Sequence, residues 1–356
     1  MKRLRILFDL LKDGVDKGVF PGAVAGIFNQ GSTYIISAGY ASYTPFLEPL
    51  EEDMIFDLAS LTKPLALGLT LINLMGESSL IDLYKPLKDY LPVEGPLGEI
   101  PLFRFLNHTS GLKAWCPFYK ERPLTLQKII YTILNLPLEY KPGEKYLYSD
   151  LNFFVVTYLL EHIYGEPFEV LFNKTKEKLS LKKREVLLFN PLRKGIDPER
   201  IVPTSVDWES GKLLRGLAED ENTRALSGVS GTAGLFGNVY GVLAVLKVLL
   251  DVYCGLSNIL NREICRIFFE FEDPSSCFTL TFMKPSKEGH SATGGVFSSK
   301  TVGHLGYTGC SFFMDLERGL IVVLLSNRVH PYRCNEAIKE FRPQFHRCVV
   351  EALGKV

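Results

Sequence analysis

The spacing of apolar residues changes from helical to alternating within the first forty positions. The opening "MKRLRILFDLLKDGVDKGVF" repeats its apolar residues at helical intervals, with Asp9, Lys12 and Asp13 between them. This pattern predicts an amphipathic first helix, and the interrupting charges argue against a signal peptide. The next stretch, "PGAVAGIFNQGSTYIISAGYAS", has apolar and β-branched residues on both sides of an Asn-Gln-Gly turn, which predicts a hairpin of two strands.

The middle of the chain has helical periodicity. From Ser60, "SLTKPLALGLTLINLMG" is apolar on nearly all sides, which predicts a helix buried between layers. Pro64 falls in its first turn, where the missing N–H matters least. Residues 67–225 continue with helical periods and proline-bearing connections and show little sign of paired strands. We therefore predict a mainly helical inserted region at 67–225.

The pattern changes again after about residue 226. A glycine-rich loop, "ALSGVSGTAGLFGN", leads into the helical pattern "VYGVLAVLKVLLDVY", and "GHLGYTGCSFFMDLERGLIVVLLSN" predicts short strands separated by tight turns. The tail "NEAIKEFRPQFHRCVVEALG" predicts an amphipathic closing helix. Strands near both ends with helices between them predict an α/β (α+β) fold, in which residues 1–66 and 226–356 together form the sheet domain.

Composition and charge narrow the functional classes. The 356 residues include 40 Lys and Arg against 40 Asp and Glu, so no net field attracts nucleic acid or an anionic membrane. A small-molecule or peptide-like substrate fits better. Charges interrupt every apolar stretch before the roughly 18 residues that a membrane span needs. The 7 cysteines form no close pairs, which argues against a disulfide framework or a zinc ribbon and favours the cytoplasm. We expect no metal or other cofactor, and nothing in the sequence indicates an oligomeric state.

A Ser-x-x-Lys pair is the first candidate for catalysis. Ser60 and Lys63 lie three residues apart, but the same spacing recurs at Ser110/Lys113 and Ser180/Lys183, so the pair alone is weak evidence. A serine attacks a carbonyl when a neighbouring group takes its proton, and a lysine on the same helix face is one such group. We expect burial to lower the pKa of Lys63, and the helix start to direct a backbone N–H at the developing oxyanion.

Three further segments accompany this pair in a fixed order. They are "NHTSGL" at 107–112, Tyr148-Ser-Asp150 with Asn152, and His304-Leu-Gly306 leading into "YTG". Together with "PGAVAGI", "FDLASLTK", "GTAGLF" and "LLSNRVHP", they span essentially the whole chain. This set resembles the serine hydrolases of the class C β-lactamase and penicillin-binding-protein superfamily, in the branch of esterases and D-amino-acid peptidases.

The resemblance implies both a fold and roles for individual residues. It implies a β-lactamase/transpeptidase-like antiparallel sheet flanked by helices. Tyr148 would be the general acid/base facing Ser60, and His304 would take the position that is often lysine. The backbone N–H of Tyr307, after Gly306, would be the second oxyanion donor. The glycine-rich loop 228–237 would line the site, although its glycines equally suit tight packing.

The sequence departs from the family pattern around residue 150. Asp150 stands where an asparagine is usual, and Asn152 would supply the amide if this segment were extended. A carboxylate binds a substrate carbonyl poorly, which argues against efficient lactam hydrolysis. Lys300-Thr301 has an extra residue before Gly303, so we do not take it for a Lys-Thr-Gly triplet. We interpret His108 as part of a structural turn.

Structural explanations compete with the catalytic ones. Ser60 would be a helix cap and Lys63 a solvated lysine beside it. Tyr148 and His304 would be core residues. Asp150 and Asn152 would form an Asx turn. Among other enzyme classes, an α/β-hydrolase is disfavoured because the sequence contains no Gly-x-Ser-x-Gly motif. A metal hydrolase is disfavoured because the sequence contains no metal-hydrolase motif. A class A β-lactamase is a nearer rival, because Ser149-Asp150-Leu-Asn152 is similar to its Ser-Asp-Asn with one insertion.

The prediction is a serine hydrolase that forms an acyl-enzyme on Ser60 and hydrolyses an ester or amide. An esterase, a D-amino-acid peptidase and a β-lactamase-like enzyme all fit that description. The alternative is a penicillin-binding-like protein that binds peptidoglycan-derived peptides with little or no turnover. Such a protein would be expected to lack Ser60, Lys63 or Tyr148, and all three are present.

Overall fold

The computed structural model describes residues 2–286 and 289–354. Its α-helices are α1 Lys2–Asp16, α2 Leu69–Glu77, α3 Leu102–Leu106, α4 Leu126–Leu134, α5 Asp150–Tyr164, α6 Phe168–Lys178, α7 Glu221–Ala225, α8 Val239–Tyr253, α9 Arg262–Glu270 and α10 Ile338–Leu353. Its strands are β1 Gly22–Asn29, β2 Ser32–Ser42, β3 Glu48–Pro49, β4 Phe56–Asp57, β5 Leu187–Phe189, β6 Leu235–Gly237, β7 Thr301–Leu305, β8 Ser311–Asp315 and β9 Leu320–Ser326. Among the described residues, none of these helices has the length and apolar character required to cross a bilayer.

An antiparallel sheet joins strands from the two ends of the chain. Its order is β3-β2-β1-β9-β8-β7. The predicted hairpin is confirmed, because β1 pairs with β2 from Gly22 opposite Gly39 to Asn29 opposite Ser32. The other edge of β1 pairs with β9, from Ala23 opposite Ser326 to Asn29 opposite Leu320. The predicted strands after residue 300 are also present as β7, β8 and β9.

Helices cover both faces of this sheet. On one face, α1 and α10 pack against alternate residues of β1 and β9 in a cluster that includes Leu11, Ala25 and Phe345. On the other face, α8 approaches β1 so closely that a Cβ at Gly26 would lie 2.5 Å from Val239. Both predicted terminal helices are therefore present, and the central strands are buried on both faces, as their continuous apolar runs require.

Within residues 67–225, the regular structure is helical apart from the short strand β5. The sequence showed little sign of paired strands there, but β5 pairs with β6, and β6 also pairs with β4 in a small second sheet. Three residues are too few to produce a visible alternation. We propose that 1–66 with 226–356, and 67–225, are two regions sharing one core, because Leu65, Phe153 and Val245 belong to a single buried cluster.

The segment that begins at Ser60 is helical but irregular. A 3₁₀ turn at Ala59–Leu61 is followed by a wide π-type turn at Lys63–Gly68 and then by α2. The Leu69 N–H donates to the Pro64 carbonyl, the i to i−5 bond of a π turn. The sequence predicted one regular helix here. Irregular turns of this kind are frequent at functional sites.

Candidate active site

A cavity of about 620 Å³ opens where the end of β7 meets the Ser60 turn and the helical region. The predicted residues that line it are Ser60, Tyr148, Asp150, His304, Gly306 and Tyr307. The structure thus brings together three motifs that are about 90 and 150 residues apart in sequence. Cavities with mainly apolar walls and a few converging polar groups are typical of ligand-binding sites.

The backbone before Ser60 is strained in a way that presents its side chain to the cavity. Ala59 has φ of +47°, a left-handed conformation that is unfavourable for a residue with a Cβ. The Asp57 carboxylate holds this turn, because its Oδ1 accepts the Ala59 N–H at 2.8 Å. Strain of this kind persists where surrounding contacts fix it, and it clusters at active sites.

Lys63 lies directly behind Ser60 and is fully buried. Its Nζ is 3.3 Å from Ser60 Oγ, 3.0 Å from the Thr232 carbonyl and 2.7 Å from Asp150 Oδ1. The explanation of a helix cap with a solvated lysine is therefore wrong. Thr232 belongs to the glycine-rich loop 228–237, so that loop does line the site.

The pKa expected for Lys63 needs correction. Burial alone disfavours the ammonium, but the adjacent Asp150 carboxylate and the Tyr148 hydroxyl outweigh it and raise the pKa of Lys63 above its ordinary value. The prediction of a lowered pKa is wrong because it considered burial without Asp150. In the resting site, Lys63 is an ammonium paired with a carboxylate.

Tyr148 contributes a protonated hydroxyl to the same cluster. Burial raises the pKa of Tyr148, and the Lys63 ammonium and the Ser60 hydroxyl offset this only in part. The Lys63 Nζ lies 5.0 Å from the centre of the Tyr148 ring. The ring packs against His108, with centroids 4.5 Å apart. Tyr148 is therefore a neutral phenol at pH 7 that faces the Ser60 and Lys63 side chains.

His304 is buried and neutral. Its Nδ1 lies 2.9 Å from the Leu305 carbonyl, which only accepts, so Nδ1 carries the proton and Nε2 keeps its lone pair. Burial, reinforced by the nearby Lys63 ammonium, lowers the pKa of His304 to about 3. As the imidazole does not become charged near neutral pH, the geometry favours a neutral acceptor at the cavity wall over a proton-transfer group.

The loop after β7 packs against the Ser60 turn. Gly306 has room only for hydrogen, since a Cβ there would lie 2.9 Å from the Leu58 carbonyl oxygen. Thr308 Oγ1 donates to the Asp57 carbonyl at 2.8 Å, which joins the loop to β4. Within the described chain, the Tyr307 N–H has no hydrogen-bond partner, whereas its carbonyl accepts from Arg328. That N–H is available to an oxyanion in the cavity.

Asn152 lies outside the cavity. The segment is helical from Asp150 onward, so residues 150 and 152 point to nearly opposite sides. Asn152 is fully buried, and its Oδ1 accepts from Ser110 Oγ at 2.5 Å. The predicted extended segment, with Asn152 beside Asp150 at the substrate, is therefore wrong. The proposed Asx turn is wrong for the same reason.

Two other sequence interpretations concern residues near the site. His108 is buried, and its Nδ1 accepts the Ser149 N–H at 3.0 Å, so it braces the start of α5 as a structural residue. Lys300 is exposed at the beginning of β7, at the opposite end of the strand from the cavity. Neither residue is among those that line the cavity.

Sequence reasoning missed a pair of linked acidic residues at the cavity, of which Glu219 lines the wall and Asp57 lies buried behind it. Asp57 Oδ2 accepts the Glu219 N–H at 2.7 Å, and the Glu219 carboxylate pairs with Arg333. Burial raises the pKa of Asp57 to about 7, against the opposing effect of the Glu219 and Ala59 N–H groups. Asp57 and Glu219 are 162 residues apart, and no local pattern relates them.

Comparison with curated proteins finds relatives over most of the chain. An N-acetylmuramyl-L-alanine amidase of Bacillus subtilis (strain 168) is 28% identical over 367 residues, covering 92% of this chain and 82% of that protein. A putative D-alanyl-D-alanine carboxypeptidase of Escherichia coli (strain K12) is 27% identical over 305 residues, covering 78% of this chain and 69% of that protein.

Solved structures share the fold. EstCE1, a hydrolase with promiscuous acyltransferase activity, superimposes with a TM-score of 0.77 at 20% identity, covering 98% of each chain. The D-amino acid amidase from Ochrobactrum anthropi SV3 has a TM-score of 0.76 at 18% identity, covering 99% of this chain and 100% of that one. The family model described as Beta-lactamase matches residues 7–343. The chain therefore belongs to the Beta-lactamase family and is a serine hydrolase of the β-lactamase and penicillin-binding-protein-like superfamily.

Proposed function

We propose that Ser60 is the nucleophile and that the enzyme hydrolyses an amide or ester through an acyl-enzyme on its Oγ. The observation that carries this proposal is the 3.3 Å contact between Ser60 Oγ and Lys63 Nζ at the base of the cavity. The alternative of a non-catalytic binding protein has no support from the site, since Ser60, Lys63 and Tyr148 are all present and close together.

In acylation, the neutral form of Lys63 takes the Ser60 proton while Oγ bonds to the substrate carbonyl carbon. The carbonyl oxygen becomes an oxyanion, and the Tyr307 N–H is the donor available to it, beside the Ser60 turn. The bond to the leaving group then breaks. Tyr148, whose raised pKa keeps it protonated, donates its proton to the departing nitrogen or oxygen.

Deacylation runs through the same groups in reverse. A water molecule gives its proton to the Tyr148 phenolate and attacks the ester carbon, so that the phenol is restored. The second tetrahedral intermediate collapses when the bond to Ser60 Oγ breaks. Lys63, now an ammonium, returns a proton to Ser60 and regains its neutral form, which balances the cycle as net hydrolysis.

We propose amides in peptide-like substrates as the main class. Both curated relatives carry names that describe cleavage of amide bonds, and the Bacillus protein is named for the bond between an N-acetylmuramyl group and L-alanine. Asp150 argues against efficient lactam hydrolysis, because its carboxylate pairs with Lys63 and presents no amide N–H to a substrate carbonyl. We also propose a cytoplasmic location, in keeping with seven cysteines that are all free.

A fluorophosphonate probe tests the nucleophile directly. Incubation followed by intact mass measurement and peptide mapping should give one adduct, on the peptide that contains Ser60. The Ser60→Ala variant is the matched control and should give none. An adduct on another residue, or no adduct on folded wild-type protein, would remove Ser60 from the mechanism.

A further inference from the structure

A second groove lies beside the catalytic cavity and shares a wall with it. This side groove has a volume of about 670 Å³ and lies between the segment 119–124 and the turn 207–210. Its principal side chains are Tyr119, Arg122, Asp207, Trp208, Glu209 and Arg224. Glu221 lines both spaces, so the side groove adjoins the catalytic cavity at this residue.

Exposed aromatic rings lead from the cavity into the side groove. The chain has only two tryptophans, and both are found here. Trp115 lines the catalytic cavity and is 42% exposed, whereas Trp208 lines the side groove and is 64% exposed. Tyr119 also lines the side groove, and its ring centroid lies 6.3 Å from that of Trp115. Large exposed apolar surfaces with polar rims mark binding sites.

The charges of the side groove cancel locally. Arg122 pairs with Glu209 at 2.9 Å, and Arg224 pairs with Asp207 at 3.0 Å. Each of the two guanidiniums described along this groove thus has a carboxylate partner, so these pairs give the groove no excess positive charge for a phosphate or an acidic peptide. The planar side chains still offer N–H donors and carboxylate acceptors at the groove's edges. The groove combines ring faces, neutral charge and a polar rim.

Hydrogen bonds hold the two walls in place. The Tyr119 N–H donates to Asn222 Oδ1 at 2.9 Å, and Asn222 Nδ2 donates to the Cys116 carbonyl at 2.8 Å. On the opposite wall, the Asp207 N–H donates to the Lys212 carbonyl, and Asp207 also accepts from Ser210. A groove that exists before binding loses little entropy when a ligand enters.

We propose that the side groove binds a neutral sugar ring carried by the substrate, so that the amide reaching Ser60 belongs to a sugar-linked peptide. A pyranose has an apolar C–H face that stacks on Trp208 or Tyr119 and a rim of hydroxyls that hydrogen-bonds to planar polar side chains. This deepens the proposed function and rests on it, because binding energy from the sugar contributes to turnover only at an active Ser60.

Two substrates with the same scissile amide test the proposal. N-acetylmuramyl-L-alanine carries the sugar, and D-lactyl-L-alanine has the same acyl and amine groups without it. In Trp208→Ala, the ratio of kcat/KM for the first substrate to that for the second should fall at least about tenfold. Trp208→Phe should recover most of the ratio. The matched control is Tyr131→Ala, which removes a ring that is 73% exposed and lies outside both spaces.

An unchanged ratio in folded Trp208→Ala would overturn the sugar site while leaving the proposed hydrolase intact. Release of alanine by Ser60→Ala at the wild-type rate would overturn the hydrolase instead. Binding is measured separately from catalysis in Trp115→Phe, which leaves Trp208 as the sole tryptophan. A saturable change in its fluorescence with N,N′-diacetylchitobiose supports the proposal, and its absence up to the sugar's solubility limit contradicts it.

Discussion

Lys63 and Asp150 form an ion pair at the base of the cavity, with Nζ 2.7 Å from Oδ1. Because the carboxylate raises the pKa of Lys63, the neutral base is scarce at pH 7 and kcat/KM should rise toward alkaline pH. Asp150→Asn removes the anion while burial remains, so the pKa of Lys63 should fall. The rising limb of the pH–rate profile should then move to lower pH; a limb that stays in place would show that Lys63 is not the group titrating.

Tyr148→Phe should lower kcat by about 10²-fold or more, because the leaving group loses its proton donor. The change removes only a hydroxyl, so thermal unfolding should differ little from wild type. Burst kinetics with an ester substrate separates the two half-reactions. For an ester whose leaving group needs no protonation, such as p-nitrophenol, the acylation rate should fall little between wild type and the variant. For the corresponding amide, the acylation rate should fall much more. An equal loss on both would contradict the role as general acid.

His304→Ala should lower kcat/KM by about tenfold, less than Ser60→Ala, if the imidazole orients substrate as a neutral acceptor. The pKa of about 3 keeps His304 neutral throughout pH 5–8. Its titration should therefore produce no limb in that range of the pH–rate profile. His304→Gln, which keeps an acceptor, should recover part of the activity. A loss as deep as in Ser60→Ala would assign His304 to proton transfer.

Asp57→Ala should act on both the stability of the fold and the placement of Ser60. Two buried N–H groups lose their acceptor, which should lower the free energy of unfolding by about 3 kcal/mol. Without this anchor for Ala59, kcat should fall more than KM rises. Activity is to be normalised to the concentration of active sites, titrated with the fluorophosphonate. If Asp57 served stability alone, the kcat of the folded fraction would equal that of wild type.

The same residue predicts a pH dependence of stability. Folding raises the pKa of Asp57 from 3.8 to about 7, so the folded protein holds this proton more tightly than the unfolded chain does. The resulting stabilisation is complete below about pH 4 and is lost as pH rises toward about 7. The melting temperature of Asp57→Asn, measured over this window beside wild type, should lack that decline. Parallel curves would assign the pH dependence to other groups.

Asn152→Ala should affect stability and leave substrate binding unchanged. Asn152 is buried and accepts from Ser110, so its removal leaves that hydroxyl without its partner and should lower the free energy of unfolding by about 1–3 kcal/mol. Below the melting transition, KM should equal that of wild type. A raised KM at unchanged stability would return Asn152 to the substrate site.

Local sequence patterns correctly predicted those helices and strands whose conformation depends mainly on their own residues. The hairpin of β1 and β2 follows from alternation around a tight turn, and α10 follows from a helical period with polar residues on one side. The approximate positions of the motifs also indicated which residues meet in the cavity. These predictions required only short-range information and a resemblance in motif order.

Long-range contacts were beyond the reach of those patterns. The raised pKa of Lys63 depends on Asp150, a partner that only the folded chain brings into contact. The π-type turn after Lys63 and the three-residue strand β5 are too short to alter the apolar spacing. The direction of the Asn152 side chain depends on where α5 begins. The N-cap residue of α5, Ser149, forms no side-chain cap, so no clear signal in the sequence marked that helix start.

The pairing of β1 with β9 has a consequence for how the protein acquires activity during synthesis. Residues of β1 leave the ribosome early, but their partner begins at Leu320, almost three hundred positions later. Such non-local pairing makes folding slow, because a long loop must close before its contacts form. β7, which carries His304, belongs to the same late segment. Nascent chains therefore carry Ser60 and Lys63 well before the remaining walls of the cavity are made, and competence for hydrolysis arrives only after β7 and β9 have been synthesised.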